Sequence, residues 1–313
     1  MESIGGENVK YIFLFPGQGT QYSGMFNMIR MLPDAVNVYE QANEILGYDL
    51  KGLCTTGNPE QLQQTEFTQA AIFTHSMALY SVLRKNGIEP YIAAGHSVGE
   101  FSALVAAGVL SFEDALRLVQ KRGKLMASVQ REGSMVSVVG LSLDEIHQLF
   151  LEVKEKGYIA ISLHNTQNQF VMSGDTEAVE AFSIKAKEKG ALKVVKLKVS
   201  QAFHSELMRE IHQEFIEEVD KLSFGNAQCP IILNCTAEKT SEAEKIKEDI
   251  RQQLVSPVRW YDSVQKMLEE EAEFVEVGPG KSLSGMLRSI DKGRKAVITD
   301  APRELAKLLK MAK

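Results

Sequence analysis

Tyr91-Ile92-Ala93-Ala94-Gly95-His96-Ser97-Val98-Gly99 is the stretch on which the fold turns. Residues 91–94 read as a short buried strand. Residues 99 to about 109 read as a helix that is rich in small side chains, among them Ala103, Ala106, Ala107 and Gly108. Between the two lies Gly95-His96-Ser97-Val98-Gly99, the G-x-S-x-G spacing of a strand-to-helix nucleophile elbow. A serine on so tight a turn needs minimal neighbours, and the helix behind it offers N–H groups to a developing oxyanion. The five-residue pattern alone arises by chance in about one chain in ten of this length. The strand before it and the small-residue helix after it are what make Ser97 a candidate nucleophile.

Working outward, short apolar runs alternate with amphipathic stretches, the rhythm of an α/β protein. Residues 11–15 form a buried strand. Residues 68–85 form a helix with Ile72, Leu79 and Leu83 on one face, and residues 112–126 form another. The rhythm then changes. Strand 135–139, helix 143–155, strands 158–163 and 170–173, helix 176–189 and strand 194–199 follow in the β-α-β-β-α-β order of a ferredoxin-like unit. In strand 194–199, Val195, Leu197 and Val199 alternate with Lys196 and Lys198 and are expected to face inward. Helix 205–219, strand 231–234, helix 263–271 and strand 274–277 complete the chain. The expected organisation is a large α/β domain of residues 1–130 and 200–313, interrupted by a small domain of residues 131–199.

The 313 residues carry 35 Lys plus Arg against 41 Asp plus Glu, a net charge of −6, with 44% hydrophobic residues. That balance excludes a disordered chain and a broad nucleic-acid groove. Cys54, Cys229 and Cys235 form no C-x-x-C pair, so neither a disulfide framework nor zinc is expected. The first apolar run, residues 11–15, is too short for a signal-peptide core or a membrane span. A cytoplasmic protein is expected, with no metal and no membrane association.

Two other glycine-rich turns resemble phosphate sites but fail in detail. Pro16-Gly17-Gln18-Gly19-Thr20-Gln21-Tyr22 has Tyr22 where a dinucleotide fingerprint needs its third glycine. Gly278-Pro279-Gly280-Lys281-Ser282 has Val275 where a P-loop needs its first. A serine nucleophile also needs a base. His147 lies in a charged helix, His75 shares an apolar face with Ile72 and Leu79, His212 is inside a helix, His164 ends a small-domain strand, and His96 is expected to point away from Ser97. His204, at a strand-to-helix junction, is the preferred base. No acid announces itself as a third member, and a backbone carbonyl can fix an imidazole tautomer in its place. Arg122 falls on the apolar face of its helix with Leu118 and Val119. An inward arginine is costly unless paired. The helix leaves three options open: a structural ion pair, a snorkelling side chain, or a clamp for a substrate carboxylate.

Taken together, Phe15-Pro16-Gly17-Gln18-Gly19, Gly95-His96-Ser97-Val98-Gly99-Glu100, Arg122-Gly123-Lys124, Ala202-Phe203-His204, Gln253 with Pro257-Val258-Arg259-Trp260, and Glu276-Val277-Gly278-Pro279-Gly280 resemble the malonyl-CoA:acyl carrier protein transacylases and the acyltransferase domains of polyketide synthases. The resemblance runs from about residue 11 to 309, with the first ten residues an unmatched extension. It implies an α/β-hydrolase-like large domain with an inserted ferredoxin-like small domain. It implies Ser97 as the acylated nucleophile, His204 as its base, and the backbone N–H groups of Gln18 and Val98 as the oxyanion hole. The Gln253 carbonyl would orient His204, and Arg122 would hold the malonyl carboxylate. Phe203 would favour malonyl over methylmalonyl. Malonyl-CoA and an acyl carrier protein would be the partners of a monomer that needs no cofactor, serving fatty-acid or polyketide synthesis. Lys193, Lys196 and Lys198 are candidates for a local basic patch toward the carrier protein. The rival readings are a thioester hydrolase of the same fold, which has no use for a carboxylate clamp, and a non-catalytic scaffold.

Overall fold

A computed structural model describes residues 9–199 and 201–311. Residues 1–8 of the expected N-terminal extension, and residue 200 at the expected domain boundary, lie outside the described residues. Among the described residues ten strands form two sheets: β1 (Tyr11–Phe15), β2 (Ile92–Gly95), β3 (Ser134–Val139), β4 (Ile159–Thr166), β5 (Gln169–Gly174), β6 (Lys193–Lys196), β7 (Ile231–Ile232), β8 (Lys239–Thr240), β9 (Glu273–Glu276) and β10 (Ala296–Ile298).

The large sheet has the order β10-β9-β1-β2-β7-β8. All its pairs are parallel except β7 with β8. Both faces are covered, which is why β1, β2 and β7 are unbroken apolar runs rather than alternating ones. Phe13, Phe15, Ala93, Ile231 and Val275 point into one core, while Ile12, Leu14, Ile92, Ala94 and Phe274 point into the other. The helix Thr65–Lys85 runs through the larger core and is buried along most of its length. The helix Phe112–Ser128 packs on it at Gly123, where a Cβ would crowd the backbone of Thr65 and Glu66. Parallel β1, β2 and β7 lie side by side, so the turns after Phe15, Gly95 and Ile232 emerge together at the carboxyl edge, where open α/β sheets hold their ligands.

The second sheet has the order β4-β5-β3-β6, with every pair antiparallel. Together with the helices Leu143–Val153 and Thr176–Glu188 this is the ferredoxin-like βαββαβ arrangement. Those helices cover one face, on Val136, Val138, Phe170 and Met172. From the other face Met135 and Val171 join the core that contains Phe203. Mutual hydrogen bonds between β4 and Val258 tie this unit to the large sheet's side of the molecule.

One element departs from the sequence reading. The strand expected over residues 194–199 ends at Lys196, and its phase is reversed. Val194 packs with Val138 in the small core, whereas Val195 is exposed. Leu197 and Val199 are half-buried, but against the large core. The chain leaves the sheet between them, so a single alternation spans two packing environments.

Candidate active site

The elbow is a steric solution. Ser97 has φ 54°, in the left-handed region that a side chain tolerates only when its surroundings enforce it. A Cβ on Gly95 would run into the backbone of Gly99 and Glu100, and one on Gly99 into the backbone of Phe15. Asn234, just after β7, clamps the turn from the side. Its Oδ1 accepts the Ser97 N–H at 2.8 Å, and its Nδ2 donates to the Gly95 carbonyl at 2.7 Å.

His204 meets the serine across 107 residues of chain, with Nε2 2.7 Å from Ser97 Oγ. It too is held at positive φ, 55°. Nδ1 lies 2.8 Å from the Gln253 carbonyl. A carbonyl only accepts, so the proton sits on Nδ1 and Nε2 is left free to take the serine proton. Burial, and then the nearby Arg122 charge, push the imidazole pKa down to about 3. At neutral pH it is an uncharged base.

For Arg122, two of the alternatives left open by its helix do not hold. It is fully buried, so it does not snorkel, and among the described residues no carboxylate pairs with it. Its fork is held by neutral groups. Nη1 donates to Gln69 Oε1 at 2.6 Å, and Nη2 donates to Gln253 Oε1 at 2.9 Å and to Ser97 Oγ at 3.1 Å. Nε is buried with no partner. Burial lowers its pKa to about 9, offset in part by Glu100, so it stays cationic at neutral pH. The arrangement is thus a serine hydroxyl within hydrogen-bond reach of a neutral imidazole, with an unneutralised guanidinium on the same oxygen.

Residues 12–302 match the family model of the acyl transferase domain. The chain belongs to this acyl transferase family. It is 38% identical over 301 residues to the malonyl CoA-acyl carrier protein transacylase of Bacillus subtilis (strain 168), covering 95% of each chain. The malonyl CoA-acyl carrier protein transacylase structure from Coxiella burnetii superposes with a TM-score of 0.93 at 32% identity, over 96% of this chain and 97% of that one. A malonyl-transacylase solved in complex with a type II polyketide synthase acyl-carrier protein superposes equally well, at 33% identity, over 96% and 99%.

In this acyl transferase the other sequence candidates also surround the elbow. The first glycine-rich turn lies directly against it, since a Cβ on Gly17 would strike the His96 carbonyl. Gln18 is the next residue of that turn, and its side chain donates to Thr65 Oγ1 at 3.4 Å. Val98 is buried behind the serine. Phe203 is buried next to the base, and its carbonyl accepts from Ser173 Oγ of β5 at 2.8 Å. His96 points away from Ser97, to Asn165 at 2.9 Å and to the edge of Trp260. His75 is a packed core histidine between Tyr39 and Asp300. The P-loop look-alike is filled from within. Glu276 accepts the N–H groups of Leu283 and Ser284, and Asp300 accepts that of Gly280.

Sequence reasoning missed Asn234, Gln69, Glu100 and the side chain of Gln253. Glu100 left the clearest trace, being an acid in a helix of otherwise small and apolar residues. Its carboxyl is fully buried, and desolvation, with Asp249 nearby, raises its pKa well above the carboxylate range.

Proposed function

We propose that this acyl transferase moves a malonyl group from coenzyme A to the phosphopantetheine thiol of an acyl carrier protein, through an ester on Ser97. The observation that carries the substrate choice is Arg122. A buried cation with an orphan Nε–H, touching the nucleophile, is incomplete until an anion arrives. A carboxylate placed side-on would accept from Nε and from the Nη2 hydrogen now on Ser97, a bidentate contact. The malonyl-transacylase names of the relatives support the same substrate.

In the first half-reaction Ser97 Oγ attacks the thioester carbonyl while its proton passes to His204 Nε2. The oxyanion develops toward the N–H groups of Gln18 and Val98. As the intermediate collapses, the C–S bond breaks and the coenzyme A sulfur takes the proton from His204. In the second half the carrier thiol gives its proton to His204 and attacks the ester, and Ser97 leaves with that proton. The Gln253 carbonyl keeps the ring in register throughout. It substitutes for an acid without adding a charge that would oppose the substrate carboxylate.

Phe203 walls the acyl pocket against a 2-methyl branch. No cofactor enters this scheme. Residues 131–199, as a small domain lying on Phe203, and residues 1–130 with 200–313, as the catalytic domain, complete the proposal. The enzyme is read as a cytoplasmic monomer. Among the described residues no helix is long and apolar enough to cross a membrane. Of the candidate docking lysines, Lys196 is engaged with Glu180 at 3.0 Å, which favours Lys193 and Lys198. Intact-protein mass spectrometry after mixing with malonyl-CoA should show one malonyl adduct, absent in Ser97→Ala. Free malonate without an adduct would instead identify a hydrolase.

A further inference from the structure

Glu100 touches no reacting atom, yet two groups that hold the site hang from its carboxyl. Oε1 accepts the backbone N–H of Asn234 at 3.0 Å, and Oε2 accepts from Gln253 Nε2 at 2.5 Å. The same Nε2 donates to the Ser97 carbonyl at 3.1 Å, while Gln253 Oε1 accepts from Arg122 at 2.9 Å. An amide can sit either way round, but here only one way satisfies every partner. A guanidinium only donates, and a peptide carbonyl only accepts. With or without a proton, each oxygen of Glu100 faces an N–H.

We propose that Glu100 is a positioning residue that sets the polarity of the Gln253 amide, and through it keeps an acceptor on Arg122 so that the guanidinium is poised for a carboxylate-bearing acyl group. The inference rests on the proposed malonyl transfer and adds its specificity relay. It explains why this position needs an acid. Glutamine has the same shape but only one oxygen for two donors. The Asn234 N–H is fixed in the main chain, so the mismatch falls on the mobile Gln253 amide. Either that amide faces a second NH₂ group, or it turns over and presents its own NH₂ to Arg122.

The test is the preference for malonyl-CoA over acetyl-CoA in single-turnover acylation of Ser97, with thermal melts to confirm folding. Glu100→Gln should lower that preference at least tenfold. Gln253→Met retains the backbone carbonyl that orients His204 but removes the amide, and it should lower the preference similarly. The double variant should be no worse than either single one, because both act on one relay. Equal losses with both thioesters in Glu100→Gln, or single effects that multiply in the double variant, would overturn the proposal. If Glu100→Gln does not fold, an unaltered preference in Gln253→Met overturns it by itself. A wild-type enzyme without malonyl preference refutes the functional reading, whereas a wild-type preference that Glu100→Gln leaves intact refutes only the relay.

Discussion

Replacing Arg122 by Met isolates the contribution of the buried charge. Methionine keeps most of the stem's volume on the Phe112–Ser128 helix and removes the cation. In the proposed malonyl complex the guanidinium and the substrate carboxylate would form a buried pair, and removing one member of such a pair costs about 3–5 kcal/mol. At about 1.4 kcal/mol per decade, the second-order rate constant for acylation by malonyl-CoA should fall about 10²–10³·⁵-fold. Acetyl-CoA presents no carboxylate and is spared this penalty. Arg122→Met also removes the 3.1 Å contact to Ser97 Oγ, and it leaves Gln69 Oε1 and Gln253 Oε1 without that donor. Those losses bear on both thioesters alike and cancel in the ratio. The assay is therefore competitive acylation of Ser97 by the two thioesters, quenched early and read as the two adduct masses. A malonyl-to-acetyl ratio within threefold of wild type would refute the clamp.

Three further outcomes follow from the geometry of the site. Because His204 is depressed to about 3, kcat/KM for malonyl-CoA should show no acid limb near the ordinary imidazole value of about 6.5, holding level to about pH 5; a limb at 6.5 would contradict a buried neutral base. The same shift has a stability consequence, since the unfolded chain protonates this histidine below about 6.5 while the folded one does not. Stability should fall as pH drops from 6.5 toward 3, and His204→Gln should flatten that slope in denaturant titrations. Phe203→Ser should raise methylmalonyl relative to malonyl transfer by about tenfold or more, the scale of one apolar group in a tight pocket. A fixed ratio in mixed-substrate assays would remove Phe203 from the specificity pocket.

The sequence was most legible where the constraint is local. Gly95 and Gly99 are dictated by backbone atoms within a few residues or on the adjacent strand, so the elbow could be recognised from five letters. The inward direction of Arg122 was legible too, because helical periodicity fixes a face. What that face meets was not, since Gln69 and Gln253 lie 53 and 131 residues away. The same holds for Asn234, which reaches Ser97 across 137 residues because β2 and β7 are neighbours in the sheet. The misphased strand at Lys193–Lys196 failed for a related reason, as its alternation continued after the chain had left the sheet.

These hidden contacts share a chemistry that the composition could not suggest. Gln69 and Gln253 surround the buried cation with amides, and Asn234 braces the nucleophile beside it. A carboxylate paired to Arg122 would have been the obvious way to stabilise it, but it would compete with a carboxylate on the substrate. Amide oxygens hold the guanidinium in place without neutralising it. The acid that is present, Glu100, is kept one amide away, reaching Arg122 only through Gln253. Under the proposed clamp, that separation leaves the full positive charge for the acyl group and would make selectivity a property of the whole network rather than of Arg122 alone.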